Sequence, residues 1–393
     1  VKLVINWGVG PMKILFLDQS GKLGGAELSL IDVIQPYRDS SRVCLLADGP
    51  FRHLLEQQQI PVQVLSTQPI QVRKDSSIIQ SLRSISSLVP LIAKVAKIAG
   101  KCDLIYANTQ KALVVGALAS LLSRRRLVYH LHDILCAGHF SRSNRRIAVT
   151  LANRFASLVI ANSKATQAAF IEAGGRSAIT EVVYNGFDPE SYRLQEAGIE
   201  RLKQQLGLEG KFVVGHFSRL SPWKGQHILL EALTHCCSEV TAILVGDALF
   251  GEEDYVAQLH KQVAELGLKE RVRFLGFRSD VVPLMKACDL VAHTSTSPEP
   301  FGRVIVEAML CGRLVVAAAA GGVLELVEPG KTGWLVTPGD ALELADVITT
   351  CYQNPESAAR MANHARLQAS ERFHLSAINQ QIAQLLHQVM KAK

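Results

Sequence analysis

The sequence predicts an α/β protein of two doubly wound, parallel sheets, each in its own domain. Three observations carry this. The chain has 393 residues, and at about 150 residues per domain this gives about 2.6 domains, which excludes a single small module. Apolar residues make up 48%, charged ones 20% and aromatic ones 6%, a balance that supplies a core and argues against a disordered or disulfide-stapled chain. Short β-branched runs alternate with longer helical patterns throughout, the mark of βαβ units.

The first strand-like run is Ile14-Leu15-Phe16-Leu17-Asp18, introduced by Met12 and Lys13. Residues 1–11 ahead of it read as an upstream extension or vector remnant. Further runs predict strands at Arg42–Ala47, Val62–Leu65, Leu104–Ala107, Leu127–Leu131, Leu158–Ala161 and Glu181–Tyr184. Helical patterns between them include Ala26–Pro36, Ile78–Ala99, Arg145–Ala156 and Lys164–Ala173. A second series runs through Phe212–Phe217, Thr241–Val245, Val272–Leu275, Leu290–His293, Leu314–Ala317 and Gly333–Val336. Between the series, Asn185-Gly186 and Asp188-Pro189 favour turns, so the hinge is expected there. The reading is an N-terminal domain over 12–186, a second over 187–372 and a C-terminal helix over 373–393. That helix carries apolar residues at Leu375, Ile378, Ile382, Leu385, Leu386 and Val389, and with no later strand to cover it must pack on something already built.

Eight cysteines lie scattered with no C-x-x-C pair, which suggests a reduced chain without zinc or dithiol chemistry. Apolar stretches such as Ala112 to Leu122 are shorter than the roughly 18 residues a bilayer span needs. No charged n-region, apolar core and cleavage site is read at the start, so a cytoplasmic location is expected. The net charge of +7 is uneven: residues 1–188 hold 22 Lys+Arg against 12 Asp+Glu, and residues 189–393 hold 20 against 23. The first half thus suits an acidic partner such as nucleic acid, an anionic membrane or a phosphorylated ligand, with a solvated basic face as the plainer alternative.

Ligands of such sheets bind beyond the carboxyl ends of strands, near helix N-termini. After the first strand comes Ser20-Gly21-Lys22-Leu23-Gly24-Gly25-Ala26-Glu27, whose paired glycines let backbone approach an anionic group. It is neither a G-x-G-x-x-G nor a P-loop pattern, so nicotinamide and P-loop readings lose ground. The first strand of the second series leads into Ser218-Arg219-Leu220-Ser221-Pro222-Trp223-Lys224-Gly225, where two cations precede a helix and suit a diphosphate. Glu299-Pro300-Phe301-Gly302-Arg303-Val304-Ile305-Val306-Glu307 places two carboxylates about 12 Å apart along a helix. That is too long for an acid/base pair on one glycosidic bond, which needs about 5–10 Å, and suits hydroxyl groups at two ends of one ligand.

Together these residues resemble the family 4 retaining glycosyltransferases of GT-B fold, from about Met12 to the C-terminus. The resembling segments are Gly24-Gly25-Ala26-Glu27, His132-Asp133, Asn162-Ser163-Lys164, Val183 to Asp188, the Arg219/Lys224 pair, Phe274-Leu275-Gly276-Phe277, Glu299 to Glu307 and Gly330-Lys331-Thr332-Gly333. The resemblance implies two Rossmann-like domains facing across a cleft, with the last helix crossing back onto the N-terminal one. It implies that Glu299 holds donor hexose hydroxyls, that Glu307 accepts the ribose hydroxyls, and that Arg219 and Lys224 grip the diphosphate. The Gly24-Gly25 loop then lies beside phosphate and acceptor, His132 against the donor sugar, and Phe277-Arg278 in the base-binding turn. Main-chain N–H groups around Phe301 and Gly302, flanked by Pro300, Arg303 and Val304, complete the donor contacts.

The expected reaction is hexose transfer with retention from a nucleotide sugar, a co-substrate rather than a cofactor, to a saccharide or lipid-diphosphate-linked acceptor in cell-surface polysaccharide synthesis. UDP-glucose or another UDP-hexose is favoured over GDP-mannose, and no metal is expected, since the cations can neutralise the diphosphate and no Asp-x-Asp occurs. A sugar-nucleotide epimerase or phosphorylase on the same scaffold, and a two-lobed solute-binding protein, are the rivals. His132-Asp133 has a plainer reading as a helix N-cap, Trp223 as loop packing, and His216, Cys236 and Cys237 as core or boundary residues. Arg124, Arg125, Arg126, Arg142, Arg145 and Arg146, with Lys94, Lys97 and Lys101, are expected to face anionic lipid at the inner side of a membrane or a lipid-diphosphate acceptor, and nucleic acid is not expected.

Overall fold

Strand β1 (Ile14–Asp18) is buried along its whole length because neighbouring strands pair with both of its edges and apolar side chains cover both of its faces. The computed structural model describes residues 12–19, 21–65, 78–136, 140–193, 196–249 and 251–392; the expected extension 1–11 and Ser20 lie outside them. The chain divides into two units, 1–186 with 375–393 and 187–374.

In the first unit β1 is followed by α1 (Gly25–Ile34), β2 (Arg42–Leu45), α2 (Pro50–Gln57), β3 (Val62–Val64), α3 (Ile78–Ala99), β4 (Leu104–Ala107), α4 (Gln110–Ser123), β5 (Arg126–Leu131), α5 (Arg142–Phe155), β6 (Ala156–Ala161), α6 (Lys164–Glu172) and β7 (Thr180–Val182). The strands form one parallel sheet in the order β3-β2-β1-β4-β5-β6-β7. The order reverses between β1 and β4. Right-handed crossovers therefore put α1 and α2 on one face and α3 to α6 on the other. The core follows that division by strand alternation: Phe16 packs with Leu30 and Phe51, whereas Leu15 and Leu17 pack with Val95, Leu113 and Val149.

The second unit runs α7 (Glu196–Gln205), β8 (Phe212–Phe217), α8 (Gln226–Leu233), β9 (Val240–Val245), α9 (Glu253–Glu265), β10 (Val272–Gly276), α10 (Val281–Ala287), β11 (Leu290–His293), α11 (Arg303–Leu310), β12 (Leu314–Ala318), β13 (Trp334–Val336), α12 (Ala341–Gln353) and α13 (Pro355–Arg372). Its parallel sheet has the order β10-β9-β8-β11-β12-β13, reversing between β8 and β11. Helix α14 (Leu375–Lys391) returns to the first unit. There it buries Ile378, Ile382, Leu386 and Val389 against the α1 face, with Leu385 partly covered, and each such side chain contributes about 1.5–3 kcal/mol.

Several edges differ from the sequence reading, each for a local reason. Helix α5 starts three residues early because Ser141 Oγ caps it by accepting from the Asn144 amide, and it ends where Ala156 enters β6 without a loop. The polar pair His132-Asp133 caps no helix but lies in the loop after β5. His216 and Cys236 are buried, whereas Cys237, expected at the core or its boundary, is exposed. Among the described residues no helix is long and apolar enough to cross a membrane.

Candidate active site

Both sheets place polar residues at the point where strand order reverses, the place where open parallel sheets take their ligands. In the second unit the loop after β8 meets the loop after β11. The Thr294 hydroxyl donates to Gly225 O at 2.7 Å, and the Thr296 amide donates to Trp223 O at 2.8 Å. Gly225, at φ +72°, is required here, since a Cβ would lie 2.0 Å from Thr294 O.

That juxtaposition delivers Lys224 onto Glu299. Lys224 Nζ donates to Glu299 Oε2 at 2.6 Å, and the same oxygen accepts from His293 Nε2 at 3.1 Å and Ser295 Oγ at 3.2 Å. Both members of the ion pair are largely buried. Burial alone pushes the Glu299 carboxyl up, but the Lys224 ammonium and then His293 outweigh it and hold the carboxyl well below the usual carboxylate range. Glu299 is thus an ionised hydrogen-bond acceptor in a dry setting. Lys224 Nζ also sits 4.0 Å from the centre of the Trp223 ring, so this indole packs on the loop's own cation.

Arg219 pairs with Glu252 at 3.3 Å, and Ser221 Oγ holds the other carboxylate oxygen at 2.6 Å. Downstream of Glu299, Gly302 at φ +97° caps α11, and Arg303 Nε lies 3.4 Å from Glu307 Oε1 one turn on. Phe301 is buried between Phe187 and Phe373, with ring centres 6.3 and 5.8 Å away. The Glu299-Pro300 backbone is pinned by Gly321-Gly322: the Gly322 amide donates to Glu299 O at 2.7 Å. A Cβ on Gly321, at φ +69°, would lie 2.4 Å from that oxygen. After β10, Phe277 is 63% exposed, and Arg278 makes a two-pronged pair with Asp280 at 2.7 and 2.6 Å. Val304 is half-buried in the first turn of α11.

In the first unit the reversal point gathers Asp18 after β1, Asn108 after β4, His132 after β5 and the Gly24-Gly25 start of α1. Asn108 Nδ2 donates to Asp18 Oδ2 at 2.7 Å and to Ala26 O at 3.1 Å, both pure acceptors. Its Oδ1 therefore faces His132 Nε2 at 2.8 Å and must accept, which places the proton of a neutral His132 on Nε2. Burial, then Asp18, push the Glu27 carboxyl up to about 8. Burial also raises Asp133 to about 6.

The sequence reading named Lys224 and Glu299 for different ends of the ligand, diphosphate and hexose; the structure joins them to each other. It sets Glu307 with Arg303, and Arg219 with Glu252. The reading missed His293, Ser295, Glu252, Gly321, Asp18 and Asn108. For Asp18, Asn108, Thr294 and Ser295 the available signal was position, since each is polar at or just past the carboxyl end of an apolar strand.

Two family profiles match: "Glycosyl transferases group 1" over residues 198–368 and "Glycosyltransferase Family 4" over residues 23–191. A solved structure of Anabaena Alr3699/HepE in complex with UDP-glucose is 62% identical, with a TM-score of 0.90, and the match covers 96% of this chain and 100% of that one. The same protein has been solved with UDP and glucose. Among curated proteins, spore coat protein SA of Bacillus subtilis is 31% identical over 208 residues, 49% of this chain and 55% of that protein. A GDP-mannose-dependent alpha-(1-6)-phosphatidylinositol monomannoside mannosyltransferase of Mycolicibacterium smegmatis is 29% identical over 283 residues, 70% of this chain and 73% of that protein. The chain spans about half the length of the first of these curated relatives. With both profiles matching in order, a 62% identical relative covered end to end and two reversal-point sites on parallel sheets, this chain belongs to the group 1, family 4 glycosyltransferases of GT-B fold.

Proposed function

We propose that the protein transfers glucose, with retention of anomeric configuration, from UDP-glucose to a saccharide or lipid-diphosphate-linked acceptor used in cell-surface polysaccharide. The observation that carries this is the buried Lys224–Glu299–His293 network beside the N-terminus of α11, in a chain 62% identical to one solved with UDP-glucose. The nucleotide sugar is a co-substrate and no metal takes part.

The roles follow from where charge develops. The bond from the anomeric carbon to the phosphate oxygen breaks with its electron pair staying on the phosphate. The acceptor hydroxyl oxygen forms the new bond on the same face, and its proton passes to the leaving phosphate oxygen. Lys224 and Arg219 face the growing phosphate charge, with the α11 N–H groups near Phe301 and Gly302 adding donors. Glu299 accepts from sugar hydroxyls, and because it is ionised and already fixed by three donors it reorganises little as the reaction proceeds. Glu307 accepts from the ribose, and Phe277-Arg278 borders the base.

A second reading, GDP-mannose as donor, has one observation in its favour: the mannosyltransferase that matches over 70% of this chain. Incubation with UDP-glucose, other UDP-hexoses and GDP-mannose, with and without saccharide acceptors and with EDTA, separates the readings by nucleotide release. UDP released from UDP-glucose despite EDTA, with an α-linked product by NMR, is the expected result. GDP release from GDP-mannose alone establishes the second reading. An epimerised donor, or binding of every donor without turnover, removes both.

A further inference from the structure

Helices α3, α4 and α5 cover one face of the first sheet, and their outer surface has a composition that the donor site does not explain. Residues 88–155 carry eleven Lys+Arg against two Asp+Glu. Neither acid lies on these helices: Asp103 immediately precedes β4, where its Oδ2 accepts from the Lys13 amide at 2.7 Å, and Asp133 lies in the loop after β5. Eight of the cations are exposed, among them Lys94, Lys97, Lys101, Arg124, Arg142 and Arg146.

Large apolar side chains stand among them. Leu121 and Leu122 are 63% and 64% exposed, Val89 59% and Ile147 50%. The two leucines end α4, a helix apolar on nearly every side because α3 and α5 flank it. The Arg125 guanidinium donates to Gly100 O at 2.8 Å, which brings the end of α3, with Lys97 and Lys101, beside Leu121, Leu122 and Arg124. An exposed leucine pair ringed by cations costs solubility in water. It gains where an apolar layer lies just beneath a negatively charged surface.

We propose that the outer face of α3, α4 and α5 docks on an anionic phospholipid bilayer, with Leu121 and Leu122 entering the acyl boundary and the ring of Lys and Arg contacting headgroups. Charge complementarity selects this occupant. A duplex nucleic acid would satisfy the cations but leave the leucines facing phosphates and water. The site is peripheral, and the proposal stands independently of the donor assignment.

Sedimentation with vesicles tests it without any turnover measurement. The full chain is expected to bind phosphatidylcholine vesicles containing about one third phosphatidylglycerol and to ignore pure phosphatidylcholine, with binding lost in high salt. Each cation near the surface is worth about fivefold in affinity, so K97E/R146E is expected to weaken binding well over tenfold. L121S/L122S is expected to weaken it while leaving the salt dependence. Since all four residues are exposed, both variants keep the thermal midpoint of the parent. Equal binding to neutral vesicles, absence of binding to the anionic ones, or unchanged binding by both variants overturns the proposal. So does duplex DNA binding that K97E/R146E weakens and L121S/L122S does not, if vesicles bind more weakly than DNA.

Discussion

At the scale of single residues the Lys224–Glu299 pair makes a sharp prediction, because buried ion pairs punish removal of one partner more than removal of both. Lys224→Met leaves Glu299 charged and largely enclosed, with an expected loss of about 3–5 kcal/mol in urea unfolding. The double variant Lys224→Met/Glu299→Gln removes both charges and is expected to recover most of that loss. Neither variant regains activity: each is expected to turn over at least tenfold more slowly, as are Arg219→Ala and Lys224→Ala. Recovery of rate along with stability in the double variant would make the pair structural only. Glu27 makes a prediction of the opposite electrostatic sign. Its carboxyl is raised from an ordinary 4.5 to about 8, by burial first and then by Asp18, so the folded state holds a proton that the unfolded chain releases. The stability this supplies is complete below about 4.5 and is lost as pH rises through about 8, at up to about 1.4 kcal/mol per unit. Thermal melts are expected to show the midpoint falling across that window, and Glu27→Gln to flatten the fall. Sequence order explains which of these residues were readable. Lys224 and Glu299 sit in loops whose Arg, Lys and Glu spacing draws attention. His293, Ser295, Asp18 and Asn108 acquire meaning only once β8 lies beside β11 and β1 beside β4, neighbours separated in sequence by several intervening strands and helices.

At the scale of elements, the strands were readable because each is a short apolar run, and the α/β alternation follows from them. Their ends were not, because a ladder stops where hydrogen bonding stops, and side-chain pattern does not record that. Thus β7 ends at Val182, its last tie to β6 being the Val183 amide donating to Ala161 O at 2.9 Å, although Tyr184 continues the pattern, and β6 begins at Ala156, where the helical pattern of α5 still runs. The loop between β12 and β13 is the element that matters most for the site and that spacing announces least. Gly321 combines a left-handed backbone with an approach to Glu299 O that no side chain fits. Gly321→Ala is therefore expected to cost at least about 2 kcal/mol and to lower activity, since relief of the clash displaces the Glu299 backbone. Gly330 provides the contrast: it also has a positive φ, but a Cβ there meets nothing within 4 Å, so Gly330→Ala is expected to cost only about 1 kcal/mol and to leave activity intact. Urea unfolding of both variants with a nucleotide-release assay checks this, and equal rates for the two would detach Gly321 from the chemistry.

At the scale of the whole molecule, the chain passes between its units twice, after Gly186 and after His374. The second unit ties both passages together, since the Phe187 amide donates to Phe373 O at 2.9 Å and Phe187 bridges to His374. Phe301, two residues from Glu299, packs on both Phe187 and Phe373. The Glu299 loop is therefore part of the same packed cluster as the two ends of its unit, and any ligand bound at that loop resists opening of the unit as a whole. The first unit has cores of its own on the two faces of β1 and β4, one of them closed by α14. Binding to the folded second unit at a hundred times Kd adds about 2.7 kcal/mol, a slowing of about a hundredfold for amides that exchange through unfolding of that unit. With UDP, amides of β8, β11 and α11 are expected to slow by that factor, while those of β1, β4 and α14 keep their rates. Hydrogen exchange followed peptide by peptide measures both sets in one experiment. Equal slowing in the two sets would mean that the units open together or that UDP binds both. Slowing with GDP equal to that with UDP at the same concentration would remove the uridine preference.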